Sequence, residues 1–104
     1  MTSTIGITEH ISQKVVVYGA DWCIDCRNAK EVFELEGTDY EYIDLVADES
    51  AASRAEEISG QKKIPVIIFP DGVFYVEPTK KELALKLRSL SAAKNGLAKG
   101  TSVE

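Results

Sequence analysis

Two cysteines are the residues of this sequence whose type and spacing are suited to covalent chemistry. Cys23 and Cys26 are the only cysteines among its 104 residues, and two residues separate them. One thiolate of such a pair can attack a disulfide, and the second thiol can then resolve the mixed disulfide that forms. A cross-link closing so short a ring restricts the unfolded chain little, by about 2 kcal/mol in the loop-closure model. The pair is therefore predicted to be a redox centre and not a structural cross-link.

The reactivity of such a pair depends on where the chain places the first sulfur. A helix N-terminus lowers the pKa of a thiol, because unpaired N–H groups and the helix dipole favour the thiolate. Cys23 follows a short apolar run that stops at Gly19, and a helical pattern begins next to it. Cys23 is thus expected in the first helical turn, with Cys26 one turn deeper on the same side.

The elements that position this pair follow from changes in hydrophobic period along the chain. They give the order β-α-β-α-β-β-α, with strands at 14–18, 40–45, 64–69 and 73–76 and helices at 23–36, 48–59 and 79–90. The first two strands flank a helix and are expected to be parallel, while Pro70-Asp71-Gly72 predicts a hairpin turn. The predicted fold is α/β, with a mixed four-stranded sheet and helices on both faces.

Several residues are predicted to begin or end these helices. Asp21 and Asp48 are expected to cap the first two helices at their starts, and Gly37 and Gly60 to end them. Thr79-Lys80-Lys81-Glu82 forms a capping-box pattern before the last helix. The domain is therefore expected to span residues 14–90, between a loose leader at 1–13 and a flexible tail at 91–104.

Composition narrows the classes of partner. The net charge is −5, and the basic residues do not gather in one run, so neither nucleic acid nor a membrane surface is an expected partner. The first ten residues lack a basic start followed by an apolar run, so the predicted location is the cytoplasm. The chain is expected to be a monomer. His10 lies in the predicted leader and is expected to be a solvated surface residue.

A metal site is the main alternative for the two cysteines. Tetrahedral zinc takes four ligands, whereas the sequence offers two cysteines and one histidine. A single chain is therefore predicted to hold no metal through these residues. A site shared between two copies of the chain stays open.

A longer stretch around the cysteines resembles a known family. The matching segments are Tyr18-Gly19-Ala20-Asp21-Trp22-Cys23-Ile24-Asp25-Cys26-Arg27, then Lys63-Ile64-Pro65-Val66, then Asp71-Gly72-Val73 and Glu77-Pro78-Thr79. With the order of elements over residues 14–90, they resemble the glutaredoxin branch of the thioredoxin-like superfamily, and in particular bacterial glutaredoxin-like proteins and mycoredoxins. The resemblance implies a thiol–disulfide oxidoreductase of thioredoxin-like fold. Cys23 would be its nucleophile and Cys26 its resolving thiol.

The same resemblance implies a substrate site around the thiols. Pro65 matches the family's cis-proline, so the backbone of Ile64 would bond an extended substrate. Trp22 would shield the sulfur and offer an apolar surface, and Tyr18 would line the same groove. Lys63, with its neighbour Lys62, is a candidate to bind a carboxylate of a thiol substrate.

Departures from the family pattern leave the reductant open. Typical glutaredoxins follow the cis-proline with a Gly-Gly-x-x-Asp stretch that holds glutathione, and this stretch is absent. The reductant is therefore expected to be glutathione, mycothiol or a thioredoxin-reductase-type flavoprotein, acting on a protein that carries no bound cofactor. Thioredoxins carry a buried acid where this chain has Val17.

Two other functions remain as alternatives. One is a dedicated electron donor to a partner enzyme such as ribonucleotide reductase, although that branch's typical Trp-Ser-Gly-Phe segment is missing. The other is an iron–sulfur or metal-carrying, or peptide-binding, module of the same fold.

Overall fold

The computed structural model of this protein describes residues 4–8 and 14–99, and of residues 92–99 it describes the backbone only. Within these ranges the chain forms five strands and three helices. In chain order they are β1 (Thr4–Ile7), β2 (Val15–Gly19), α1 (Ile24–Glu36), β3 (Tyr40–Asp44), α2 (Glu49–Ser59), β4 (Val66–Ile68), β5 (Val73–Val76) and α3 (Lys80–Lys99).

The strands form one mixed sheet in the order β1-β5-β4-β2-β3. β2 and β3 are parallel, with Val17 opposite Tyr42, and the other three pairings are antiparallel. β4 and β5 form the predicted hairpin, in which the Phe69 amide donates to the Val73 carbonyl at 2.8 Å. The predicted α/β architecture is confirmed.

The number of strands differs from the prediction, because the supposed leader contributes a fifth. β1 pairs with β5 along its length, from Thr4 opposite Val76 to Ile7 opposite Val73. The side-chain amide of Gln61 also donates to the Thr4 hydroxyl at 2.7 Å. The prediction of a loose segment over 1–13 is thus wrong at 4–7, where pairing satisfies the open edge of β5. Residues 1–3 and 9–13, with His10, lie outside the described residues.

Two apolar clusters lie on opposite faces of the sheet. α1 and α3 cover one face through Phe33, Leu83 and their neighbours, which pack on Val17 and Ile67. α2 covers the other through Ala51 and Ala55. Alternate residues of β2 therefore serve different clusters. Helices on both faces of the sheet were predicted, and this arrangement is confirmed.

Local signals placed most helix ends correctly. Asp48 caps α2 by accepting from two backbone amides, and Gly37 and Gly60 end their helices in the left-handed region. The Thr79 hydroxyl accepts from the Glu82 amide at 3.1 Å, and the Glu82 carboxylate accepts from the Thr79 amide at 2.8 Å, as the capping box predicted. The start of α1 is different: its N-cap is Cys23 and not Asp21.

The last helix is longer than predicted. Its backbone stays helical to Lys99, whereas the sequence was expected to leave the helix after Ser91. Alanine, lysine and leucine in residues 92–99 favour helix and outweigh the single glycine there. Residues 100–104 lie outside the described residues. In the described part of the chain, no helix combines the length and apolar character that crossing a membrane requires.

Candidate active site

The connection between β2 and α1 places Cys23 at the start of the helix. Its amide donates to the Ala20 carbonyl at 3.1 Å, which closes a tight turn after the strand. Its extended backbone, with φ −88° and ψ 119°, gives it the N-cap position, where its sulfur accepts from the Cys26 amide at 3.4 Å. The sulfur thus takes the place that a capping oxygen usually occupies. A backbone N–H and the positive end of the helix dipole both point at it, and both favour a negative charge.

Cys26 lies behind Cys23 in a different environment. Its side chain is fully buried, and its sulfur accepts from the Ala20 amide at 3.5 Å. Burial, with smaller contributions from Cys23, raises the pKa of the Cys26 thiol from 9.0 to about 12, and the Ala20 amide and, to a smaller extent, the Tyr42 hydroxyl offset only part of that rise. The buried sulfur therefore stays a thiol at neutral pH, whereas Cys23 is partly exposed.

The loop before β4 completes the surroundings of Cys23. The Ile64–Pro65 bond is cis, as the family resemblance implied. The Cys23 thiol faces the Ile64 carbonyl, with sulfur and oxygen 3.9 Å apart. Pro65 is buried, and its carbonyl accepts from the Glu77 amide at 3.0 Å, which ties the loop to the end of β5.

The other residues predicted to contact substrate differ in exposure: Trp22 and Lys63 are exposed, and Tyr18 is buried. Trp22 precedes Cys23 and is 71% exposed. Lys63 is also exposed and lines, with Lys62 and Ile64, a pocket of about 280 Å³ beside α2. Tyr18 is buried among the residues that pack under α2, on the sheet face opposite α1. Its ring packs in this core and is only 7% exposed, so it does not line an open surface, and its hydroxyl raises the pKa of the Arg54 guanidinium.

The hydroxyl of Tyr42, a residue that the sequence did not single out for the site, lies beside Cys26. A Cβ built on Gly19 would fall 2.7 Å from the Cys26 sulfur and 2.9 Å from the Tyr42 hydroxyl, so both atoms converge on this glycine. The Lys30 ammonium lies 3.8 Å from the Tyr42 ring centroid and 3.4 Å from the Asp21 carboxylate. The sequence could not show this, because the position of Tyr42 depends on its register opposite Val17, and the register is set by strand pairing.

Among the described residues, no group of three or more histidine, cysteine, aspartate or glutamate side chains could hold a metal ion. The two cysteines therefore lack further ligands within the described part of one chain.

Several solved structures share the fold of this chain. A glutaredoxin, grx-1, from Archaeoglobus fulgidus superposes with a TM-score of 0.65 at 23% identity, covering 73% of this chain and 87% of its own. A glutaredoxin from Brucella melitensis gives 0.54 at 20% identity, covering 88% and 98%. The Tau class glutathione S-transferase MiGSTU from mango gives 0.54 at 18%, covering 79% of this chain and 36% of its own.

At these identities, the superpositions establish a shared fold. A search of curated proteins found no match. The sequence model of one family, Glutaredoxin, matches residues 15–75, which is more than half of the chain. With the strand–turn–helix geometry of Cys23 and Cys26, this match shows that the protein belongs to the glutaredoxin family.

Proposed function

We propose that this protein is a thiol–disulfide oxidoreductase in which Cys23 attacks and Cys26 resolves. The contrast between the two sulfurs carries the proposal. Cys23 is partly exposed and accepts a backbone N–H at a helix start, whereas Cys26 is buried and its pKa is raised to about 12. Only the first sulfur is both reachable by a substrate and placed at a helix N-terminus. The thiolate is the attacking form, and the helix dipole favours its negative charge.

The reaction has two exchange steps. The Cys23 thiolate attacks one sulfur of the substrate disulfide, forms a mixed disulfide and releases the other half as a thiolate, which takes up a proton. Cys26 then loses its proton and attacks the Cys23 sulfur, which releases the second half as a thiol. The protein leaves this cycle as the Cys23–Cys26 disulfide, and two electrons from a reductant restore the dithiol.

The proposed substrates are other proteins that carry a mixed disulfide on an extended segment. Trp22 and Ile24 flank Cys23 and are 71% and 58% exposed, so they offer apolar surface to a bound chain. The backbone of Ile64, which lies against the Cys23 sulfur, is suited to pair with such a chain as an added strand. Small disulfides that carry carboxylates are also proposed, because Lys62 and Lys63 line the adjacent pocket.

The reductant is proposed to be a low-molecular-weight thiol, either glutathione or mycothiol. The pocket beside Ile64 supports glutathione in particular, since its two lysines provide cations for the two carboxylates of that thiol, which mycothiol lacks. A thioredoxin-reductase-type flavoprotein is the competing reductant. Parallel assays with glutathione, mycothiol and that flavoprotein, each with NADPH recycling, distinguish the three.

Serine variants test the assignment of the two cysteines. The substrate is a peptide in mixed disulfide with glutathione, and the product is the free peptide thiol measured by mass spectrometry. Cys23→Ser is expected to abolish turnover. Cys26→Ser is expected to accumulate a mixed disulfide on Cys23, visible as a mass increase of the intact protein. Turnover retained by Cys23→Ser would overturn the proposed function.

A further inference from the structure

The resolving step requires a proton to leave a sulfur that the fold buries. In the mixed disulfide Cys23 carries no charge, so its contribution to the raised pKa of Cys26 disappears, while the larger effect of burial remains. The Ala20 amide is one donor that can stabilise the emerging thiolate. A second donor beside the sulfur would therefore speed resolution.

The hydroxyl of Tyr42 occupies the position for such a donor. Its oxygen is buried next to Gly19, whose missing side chain leaves room for this oxygen and the Cys26 sulfur together. Among the described residues, the hydroxyl has no hydrogen-bond partner while both cysteines are free thiols. A buried hydroxyl without a partner is costly, so its presence beside a reacting sulfur suggests a functional role.

Burial and the acidic groups around Tyr42 keep its hydroxyl protonated. Burial raises the pKa of Tyr42 well above its usual value, and the nearby acidic groups Cys26, Asp21, Asp44 and Cys23 raise it further. The Lys30 ammonium over the ring acts in the opposite direction, but the pKa of Tyr42 remains raised. At neutral pH the hydroxyl can therefore act as a hydrogen-bond donor, and not as a base.

We infer that Tyr42 is a further catalytic residue of the resolving step, in which its hydroxyl donates a hydrogen bond to the Cys26 sulfur as the thiol loses its proton. This inference rests on the proposed function. The Cys26 sulfur forms its new bond to the Cys23 sulfur, the bond from Cys23 to the substrate sulfur breaks, and the released thiolate takes up the proton that Cys26 lost. The step consumes no further reagent, because the electrons stay within the three sulfurs.

The register of the sheet explains why the hydroxyl comes from β3. Val17, the buried residue of β2 at this level of the sheet, has an apolar side chain that can neither donate nor accept a hydrogen bond. Tyr42 pairs with Val17 on the neighbouring parallel strand and packs against the same cluster under α1. An uncharged donor at this place stabilises a thiolate without adding a second negative charge beside it.

Stopped-flow kinetics with 5,5′-dithiobis(2-nitrobenzoate) separate the two steps. Attack by Cys23 releases one thionitrobenzoate in a first phase, and resolution by Cys26 releases another in a second phase. Tyr42→Phe removes only the hydroxyl, so the first phase is expected to be unchanged. The second phase is expected to slow about tenfold at pH 7, as for the loss of a hydrogen bond to a charged group. Its rate–pH profile should move to higher pH by about one unit.

Tyr40→Phe is the matched control. Tyr40 lies on the same strand and the same sheet face, and its ring stacks on Phe33 with centroids 4.5 Å apart. This variant is expected to keep both phases and the pH profile of the parent. If the second phase of Tyr42→Phe follows that of Tyr40→Phe across pH, the inference fails. A first phase that persists in Cys23→Ser would instead reject the proposed function.

Discussion

The backbone N–H of Cys26 donates to the sulfur of Cys23 over 3.4 Å, so the proposed resolving residue contacts the proposed nucleophile through its main chain. This contact does not depend on the Cys26 side chain. It depends on the first turn of α1, in which the Arg27 amide also donates to the Cys23 carbonyl at 3.1 Å. The reactivity of Cys23 is therefore a property of the helix start, and it is separable from the chemistry of the second thiol.

Selective alkylation is the first prediction. With limiting iodoacetamide at pH 7, Cys23 is expected to be labelled and Cys26 to be protected, because the Cys26 sulfur is buried and its pKa lies near 12. Peptide mapping by mass spectrometry measures the ratio. Cys26→Ala should label at Cys23 within about twofold of the parent rate, since that change keeps the amide that contacts the sulfur.

The pH dependence of the buried thiol completes this test. In Cys23→Ala, labelling of Cys26 should rise about tenfold per pH unit from pH 7 to 10, because the thiolate fraction grows in this way below the pKa. Unfolding in guanidinium should remove the protection. Rapid labelling of Cys26 at pH 7 in the folded protein would contradict the geometry described for α1.

A second prediction concerns Gly19. An alanine there places a methyl group 2.7 Å from the Cys26 sulfur and 2.9 Å from the Tyr42 hydroxyl, closer than real contacts allow. Gly19→Ala is therefore expected to lower the free energy of unfolding by about 1–3 kcal/mol. It should also slow the resolving phase, because the two groups must separate. Urea denaturation and stopped-flow kinetics measure the two effects.

Gly37→Ala provides the control for a loss of stability without local damage. Gly37 ends α1 with φ of 66°, and no atom lies within 4 Å of a Cβ built there, so only backbone strain is added. This variant should lose about 1 kcal/mol of stability and keep both kinetic phases. Equal slowing of resolution in both variants would mean that the rate follows global stability and not the contact at Gly19.

Much of the fold could be predicted because its signals are local. Thr79 and Glu82 form a capping box that marks the start of α3 within four residues. Asp48 caps the start of α2 and Gly60 ends it. The two cysteines mark the site by spacing alone. Such features depend on neighbours in sequence, which the chain itself displays.

What the sequence did not reveal depends on pairing between distant segments. Thr4–Ile7 is short and carries no strong strand pattern, and it becomes a strand because β5 offers an open edge. Tyr42 looked like any inward residue of an alternating strand, and its place beside Cys26 follows from the register with Val17 and from Gly19. Asp21 was expected to be the cap of α1, but the Cys23 sulfur takes that position and Asp21 pairs with Lys30.

The last prediction separates the stability of the protein from its rate at Tyr42. The hydroxyl is buried and has no hydrogen-bond partner among the described residues. Removing it therefore breaks no hydrogen bond and eliminates the free-energy cost of burying a polar atom. Tyr42→Phe is therefore expected to keep the free energy of unfolding or to raise it by about 1 kcal/mol.

Urea denaturation of the reduced protein measures this change, with Tyr40→Phe as the reference. The Lys30 ammonium keeps an aromatic ring beneath it in Tyr42→Phe, so its contact with the ring is conserved. If the hydroxyl stabilised the fold, its removal would lower the free energy of unfolding of the protein. A hydroxyl kept for the resolving step should leave stability intact while the second kinetic phase slows. A clear loss of stability in Tyr42→Phe would show that the hydroxyl already bonds within the reduced protein, and would assign it a structural role.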